Sequence, residues 1–187
     1  EVEVKVYSGV SNLVGNRPLE EMMQREFDKL GPVPFDTDDS GLANEIRQTL
    51  TKDDIAASFQ RVGRETPADL PLCDFVAPLD RTSSGGEGST DVGDVSWVVP
   101  TVQARVATCA VGTPFHTWQT VAQGKAPAAH KGMIHAAKVM AATASALIQS
   151  PETIEAARTV HNDRQVKTPY QCPIPREVSP PIITKPE

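Results

Sequence analysis

A chain of 187 residues, 39% hydrophobic and 22% charged, suits one soluble domain, or one domain plus part of another, around a modest core. Its formal net charge of −6, without a long basic run, argues against nucleic acid and anionic membrane surfaces as partners. No apolar run approaches the roughly 18 residues of a membrane helix, and the acidic, alternating start EVEVKVYSGV is not a signal peptide. Cys73, Cys109 and Cys172 are too scattered for a zinc knuckle. They read as thiols of a reducing compartment, so the expected location is cytoplasmic.

Residues 2–7 alternate, with Val2, Val4 and Val6 on one face and Glu3 and Lys5 on the other. That is the pattern of a half-buried strand. A strand with no hairpin partner nearby must pair elsewhere, so the chain reads as beginning mid-fold. After a turn-rich crossing, Asn16 or Arg17 caps a helix with Pro18 in its first turn. Leu19, Met22, Met23, Phe27 and Leu30 form its apolar stripe, and Gly31-Pro32 ends it. A second helix is predicted from Asp39 or Ser40, burying Leu42, Ala43, Ile46 and Leu50. A weaker third covers 53–61. Residues 63–72 read as loop, 73–79 as a short strand, and RTSSGGEG at 81–88 as a loop that is either mobile or approaches a ligand.

Residues 101–112, TVQARVATCAVG, are β-branched and small and lie between Pro100 and Gly112. They predict a strand, with Cys109 in the core and a turn over 112–119 beyond its end. The longest helical signal covers 128–150. There Met133, Ala137, Met140, Ala141, Ala144 and Leu147 recur at helical spacing, and the alanines suit close packing on a sheet. Ser150-Pro151-Glu152 opens a last helix, to about Asp163. The proline-rich tail should lie extended over the body.

Chemistry concentrates in residues 88–133. His130 sits at the start of the long helix, where a neutral imidazole could ligate zinc or manganese; a packed structural histidine is the competing reading. His135, five residues on, cannot share its helix face, and reads as a supporting or packed group. His116 lies in GTPFHTWQ, just past the predicted strand, where α/β folds place ligand groups. Trp118 could wall an aromatic or acyl pocket, or simply pack under a surface loop. Asp91 and Asp94 in STDVGDVSW could support a metal site or cap a helix over VSWVV, and Gly93 between them suggests close backbone approach. His161 reads as solvated. No phosphate loop, Ser-His-Asp arrangement or nucleophile elbow is present in the sequence.

GSTDVGDVSW, GTPFHTWQ, AHKGM and the late PYQCPIP, in that order, resemble the C-terminal half of the B-type chains of the aminobenzoyl-glutamate hydrolase group. That group lies in the aminoacylase and glutamate-carboxypeptidase superfamily of metal-dependent amidohydrolases. The resemblance implies an α/β fold, the C-terminal half of a three-layer α/β/α metallopeptidase catalytic domain. Residues 1–17 would be the last strand of an inserted lid or dimerisation domain and the crossing back, with Asn16 at the return. Residues 18–165 would belong to the catalytic domain, and 166–187 to the tail.

It also implies two divalent ions, zinc or manganese, with His130 on one of them. His116, Trp118, Asp94 and Asp91 would bind substrate or support the metal shell. The superfamily's remaining ligands and its catalytic glutamate have no counterpart in this chain. The expectation is therefore a partial site, inactive alone, completed by an N-terminal half or a complementary chain. Homodimer or heterodimer formation through the lid domain is implied, with a small-molecule amide as substrate. The alternative is a non-catalytic protein for substrate binding or assembly.

Overall fold

The computed structural model describes residues 1–59, 67, 69–79 and 90–179. The loop expected at 81–88, the end of the third helix at 60–61 and the tail beyond 179 lie outside these residues. The described helices are α1 (Arg17–Leu30), α2 (Thr37–Arg47), α3 (Lys52–Ala57), α4 (Asp91–Val98), α5 (Trp118–Gln123), α6 (Pro127–Ile148) and α7 (Pro151–Lys167). No helix among the described residues is long and apolar enough to cross a membrane.

The helix ends follow local chemistry. Gly31, at φ 74°, donates its N–H to the Phe27 carbonyl at 2.8 Å and ends α1 in the left-handed conformation that glycine adopts without strain. α2 begins a little earlier than expected because Asp36 and Asp39 form a reciprocal cap. The Asp36 carboxylate accepts from the Asp39 N–H and the Asp39 carboxylate from the Asp36 N–H, each at 3.0 Å. Thr51 and Asp54 repeat the device for α3. α5 starts at the end of the turn expected over 112–119 and continues where no element was expected, and α7 runs one turn past its predicted end.

The chain forms two compact units. The first combines residues 1–19, 84–102 and 152–187, and among its described residues carries α4 and nearly all of α7. The second combines 20–83 and 103–151, and carries α2, α3, α5, α6 and most of α1. The core of the second unit joins Ala43 and Ile46 of α2 to Leu72, Ala110 and Ala128, with Phe35 packed against them. Each large apolar side chain buried this way contributes about 1.5–3 kcal/mol.

The expected α/β fold is not formed: among the described residues helix makes up 52% and strand 1%, with no sheet. Residues 2–7, 73–79 and 101–112 are all without a ladder among the described residues; in the last of them Val111 donates its N–H to the Pro71 carbonyl at 2.8 Å, a single bond. Alternating and β-branched residues favour an extended backbone, but a strand exists only when a neighbouring edge takes its N–H and C=O groups. Among the described residues none of the three segments meets such an edge; Val2 at the start remains 89% exposed.

A second correction concerns α6. Its buried residues are Ala128, Gly132, His135, Val139 and Thr143, spaced by three or four. The methionine and alanine stripe lies on another face, with Met133 61% and Met140 55% exposed. Small residues decide which face goes inward. A Cβ on Gly132 would come within 2.2 Å of the Ala107 carbonyl oxygen, so the extended segment crosses α6 where no side chain intervenes.

Candidate functional site

His130 is the fourth residue of α6 and points to solvent. Pro127 at the first helical position suits the helix start, but the N-cap residue Ala126 has no side chain able to cap it. Lys131 supplies the anchor instead. Its Nζ donates to Oδ2 of Asp36 and to Oδ2 of Asp39, each at 2.5 Å. The Asp39 side chain is only 1% exposed. The bond from Lys131, followed by the Asp39 N–H, pulls the Asp36 carboxyl down to about 2. In return Asp36, then Asp39, raise the Lys131 ammonium. The start of α6 is thus tied to the start of α2, and His130 stands beside the tie.

One turn further on, His135 is buried, with its ring 6.5 Å from Phe27 at 41°. Its Nε2 has no hydrogen-bond partner among the described residues. This is a packed position within the core.

The corner at 110–123 is organised by Gln123, which is buried. Its Oε1 accepts from the Ala110 N–H at 2.7 Å, and its Nε2 donates to Thr113 Oγ1 at 3.1 Å and to the Gln119 carbonyl at 3.0 Å. His116 sits on this corner, exposed, at φ 62°. That left-handed conformation is uncommon outside glycine. The hydroxyls of Thr117 and Thr120 both donate to the Pro114 carbonyl, at 2.8 and 2.7 Å, and hold the turn. Trp118 begins α5 with 60% of its surface exposed. Cys109 is half-buried, and burial pushes its thiol up, away from reactivity.

Asp91 and Asp94 lie in the first unit, on α4, whereas His116, Trp118 and His130 lie in the second. Thr90 caps α4 by accepting from the Val92 N–H at 3.4 Å, and Asp91 is the exposed first residue of the helix. Asp94 is fully engaged. Its Oδ1 accepts from Ser11 Oγ at 2.7 Å and from the Tyr170 hydroxyl at 2.8 Å, and its Oδ2 from the Ser11 N–H at 3.3 Å. Ser11, then Tyr170, hold the Asp94 carboxyl below its ordinary value.

The same α4 surface carries Gly93, where a Cβ would fall 1.9 Å from the Ser11 carbonyl oxygen. Ser96 next to it accepts the Val14 N–H at 3.0 Å. His161 proves buried rather than solvated: its Nε2–H donates to the Trp97 carbonyl at 3.3 Å.

The described residues do not by themselves fit a metal centre. No three His, Cys, Asp or Glu side chains among them converge in a way that could hold an ion. Among the described residues one carboxylate oxygen is buried and unpartnered, Asp39 Oδ1; the other oxygen of that group accepts from the Lys131 ammonium, which it shares with Asp36. What the described residues offer is two exposed imidazoles, His116 on its corner and His130 on an anchored helix start. Lys131, Gln123 and Tyr170 were not singled out in the sequence. Only the spacing of Asp36 and Asp39 carried a local signal, that of a cap.

Comparison with known proteins places the chain's likeness among hydrolases. It is 36% identical over 189 residues to the B-type subunit of p-aminobenzoyl-glutamate hydrolase of Escherichia coli (strain K12). The match takes in 96% of this chain and 39% of that protein, so the chain spans about two fifths of the length of the curated relative it matches. The resemblance carried by GSTDVGDVSW, GTPFHTWQ, AHKGM and PYQCPIP is thereby borne out. No family model matches the chain. No solved structure matches it.

Proposed function

We propose that this chain is part of an amidohydrolase that cleaves the amide of an N-acyl amino acid of the p-aminobenzoyl-glutamate type. The carrying observation is the 36% identity over nearly the whole chain to part of a hydrolase of that name. In this reading His130 provides one ligand to a divalent ion, zinc or manganese, in a two-ion site. The other ligands and the general base come from outside this chain, from a complementary chain or a further segment. Homodimer or heterodimer assembly and a cytoplasmic location belong to the same reading. The chain's own contribution is positional. Lys131, tied to Asp36 and Asp39, fixes the first turn of α6 and with it the direction of His130. His116 and Trp118, on a corner held by Gln123, are both exposed and would meet an acyl or aromatic group.

A second reading is a non-catalytic protein for substrate binding or assembly. It is favoured by the absence of a ligand cluster among the described residues. One experiment separates the two. The natural protein, isolated intact, is assayed for release of p-aminobenzoate from p-aminobenzoyl-glutamate and for metal content, with His130→Ala alongside. The hydrolase reading expects turnover, and a loss of roughly 100-fold or more with reduced metal in the variant. No turnover by the intact protein leaves the non-catalytic reading standing. Equal metal and equal activity in variant and wild type sink the ligand assignment.

A further inference from the structure

The four methionines of the chain divide evenly between two helices. Met22 and Met23 lie in α1 and are 5% and 6% exposed, whereas Met133 and Met140 lie in α6 and are 61% and 55% exposed. Met22 is also engaged, its Sδ accepting from the Arg25 guanidinium at 3.4 Å. Seven residues, two helical turns, separate Met133 from Met140, so the two stand on one face of α6 about 10 Å apart along its axis. Ala136 and Ala137 lie between them, at the three- and four-residue spacing that makes helix-surface neighbours of both. Ala129 and Ala144 hold the same places on the outer sides. Side chains this short do not screen a thioether sulfur that stands beyond them.

The face of α6 that packs inward is a different one, formed by Ala128, Gly132, His135, Val139 and Thr143. An oxygen added to the sulfur of Met133 or Met140 therefore enters water. One added to Met22 or Met23 would have to be buried, which is costly for a polar group without a partner. The two pairs differ in access and in what oxidation would do to the fold.

We propose that Met133 and Met140 form a paired oxidation site for hydrogen peroxide, reversible and neutral to the fold. At each thioether the sulfur lone pair attacks one peroxide oxygen and the O–O bond breaks. That oxygen stays on sulfur as the sulfoxide, and the other leaves with both protons as water. Sulfur is oxidised by two electrons and the peroxide reduced by two. Reversal takes a methionine sulfoxide reductase and a dithiol: the oxygen leaves as water and the dithiol becomes a disulfide. The change turns an apolar stripe polar while the packed face of α6 stays as it is. The proposal is independent of the hydrolase reading.

The test treats the intact protein with hydrogen peroxide and follows each methionine by peptide mass spectrometry. Met133 and Met140 are expected to gain one oxygen each at least about tenfold faster than Met22 and Met23. The doubly oxidised protein should melt within about 2 °C of the untreated one. The two reductases, one for each sulfoxide epimer, should return both sites to the thioether with dithiothreitol as the dithiol. A double variant, Met133→Leu with Met140→Leu, keeps both positions apolar and helix-forming. Treated alike, it reports what peroxide does elsewhere, as at the exposed Cys172, and it should melt as the treated wild type does. Met22 or Met23 oxidising as fast as the α6 pair, a treated wild type melting well below the treated double variant, or sulfoxides that the reductases leave in place would each overturn the proposal.

Discussion

In each of the two units an extended segment passes over a helix at a glycine, and the two crossings are built differently. On α4, the segment around Ser11 crosses at Gly93; on α6, the segment around Ala107 crosses at Gly132. The first crossing is bound by polar groups from both sides: Ser11 to Asp94, Val14 to Ser96, and Trp97 to Asn12. Among the described residues the second has no such ties. Residues 102–109 make no backbone hydrogen bonds among the described residues, and the fit depends on close contact alone. Close approach needs a glycine in both places. Only the first crossing is also locked against sliding, which is what a set of directed hydrogen bonds adds to packing.

The largest expected effect tests that difference directly. In Gly93→Ala the new Cβ would meet the Ser11 carbonyl at 1.9 Å, and the bonds around Ser11 keep that carbonyl from retreating. A cost of about 3 kcal/mol or more follows, a fall in Tm on the order of 10 °C. Gly132→Ala meets the Ala107 carbonyl at 2.2 Å, but there the untied segment can move away. Its cost should be smaller, about 1–2 kcal/mol. Thermal melts of the two variants decide the matter. A Gly132→Ala variant as damaged as Gly93→Ala would show that packing alone immobilises residues 102–109.

The next effect is in the pH dependence, and it singles out the polar crossing. Tyr170 is pushed up to about 12, first by its bond to Asp94, from an ordinary 10.0. The folded state thus holds that proton more tightly than the unfolded state. Its contribution is complete below pH 10 and lost as pH rises towards 12. Asp94 works in the opposite direction. Its lowered carboxyl contributes above its ordinary 3.8, and that contribution is lost as pH falls below it. Tyr170→Phe should therefore remove the decline in Tm that begins near pH 10 and soften the acid one, in which Ser11 remains the main partner. The second unit has its own alkaline loss through Lys131, raised above 10.5, and that decline should persist in the variant. A Tyr170→Phe protein with an unchanged decline from pH 10 would show that the tie between Tyr170 and Asp94 adds nothing to stability.

These crossings also show what the chain discloses before it is folded. Helix ends were legible where a local device sets them: Pro18 and Gly31 for α1, Pro151 for α7. The face of α6 was not. Its methionines and alanines have a regular period, but the choice between two apolar faces was made by a segment that packs at Gly132. The β-branched and small residues of 101–112 predicted extension, which is a property of the residues, and a strand, which is a property of a neighbour. Asp94 was visible as a candidate ligand or cap. Its actual partners, Ser11 and Tyr170, stand 83 and 76 residues away in sequence, beyond any local pattern. His161 was read as solvated because its own helix is polar, yet it is buried and bonded to the carbonyl of Trp97, 64 residues earlier. His116 carried a signal for position but none for its left-handed backbone.

His130 gives the smallest expected effect on stability, and the reason separates it from everything above. Gly93, Gly132, Asp94 and Tyr170 are each held by a partner whose loss the fold must register. His130 is exposed on the first turn of α6, and that turn is anchored one residue later by Lys131. Alanine is also the better helix former. His130→Ala should therefore change stability by no more than about 0.5 kcal/mol and Tm by no more than about 2 °C. An exposed imidazole on a fixed helix start that the fold does not require is free to serve a ligand, and that is the property the hydrolase reading uses. A melt showing a loss as large as that of Gly93→Ala would place His130 among the structural residues instead, and any fall in activity of the variant would then have to be attributed to unfolding.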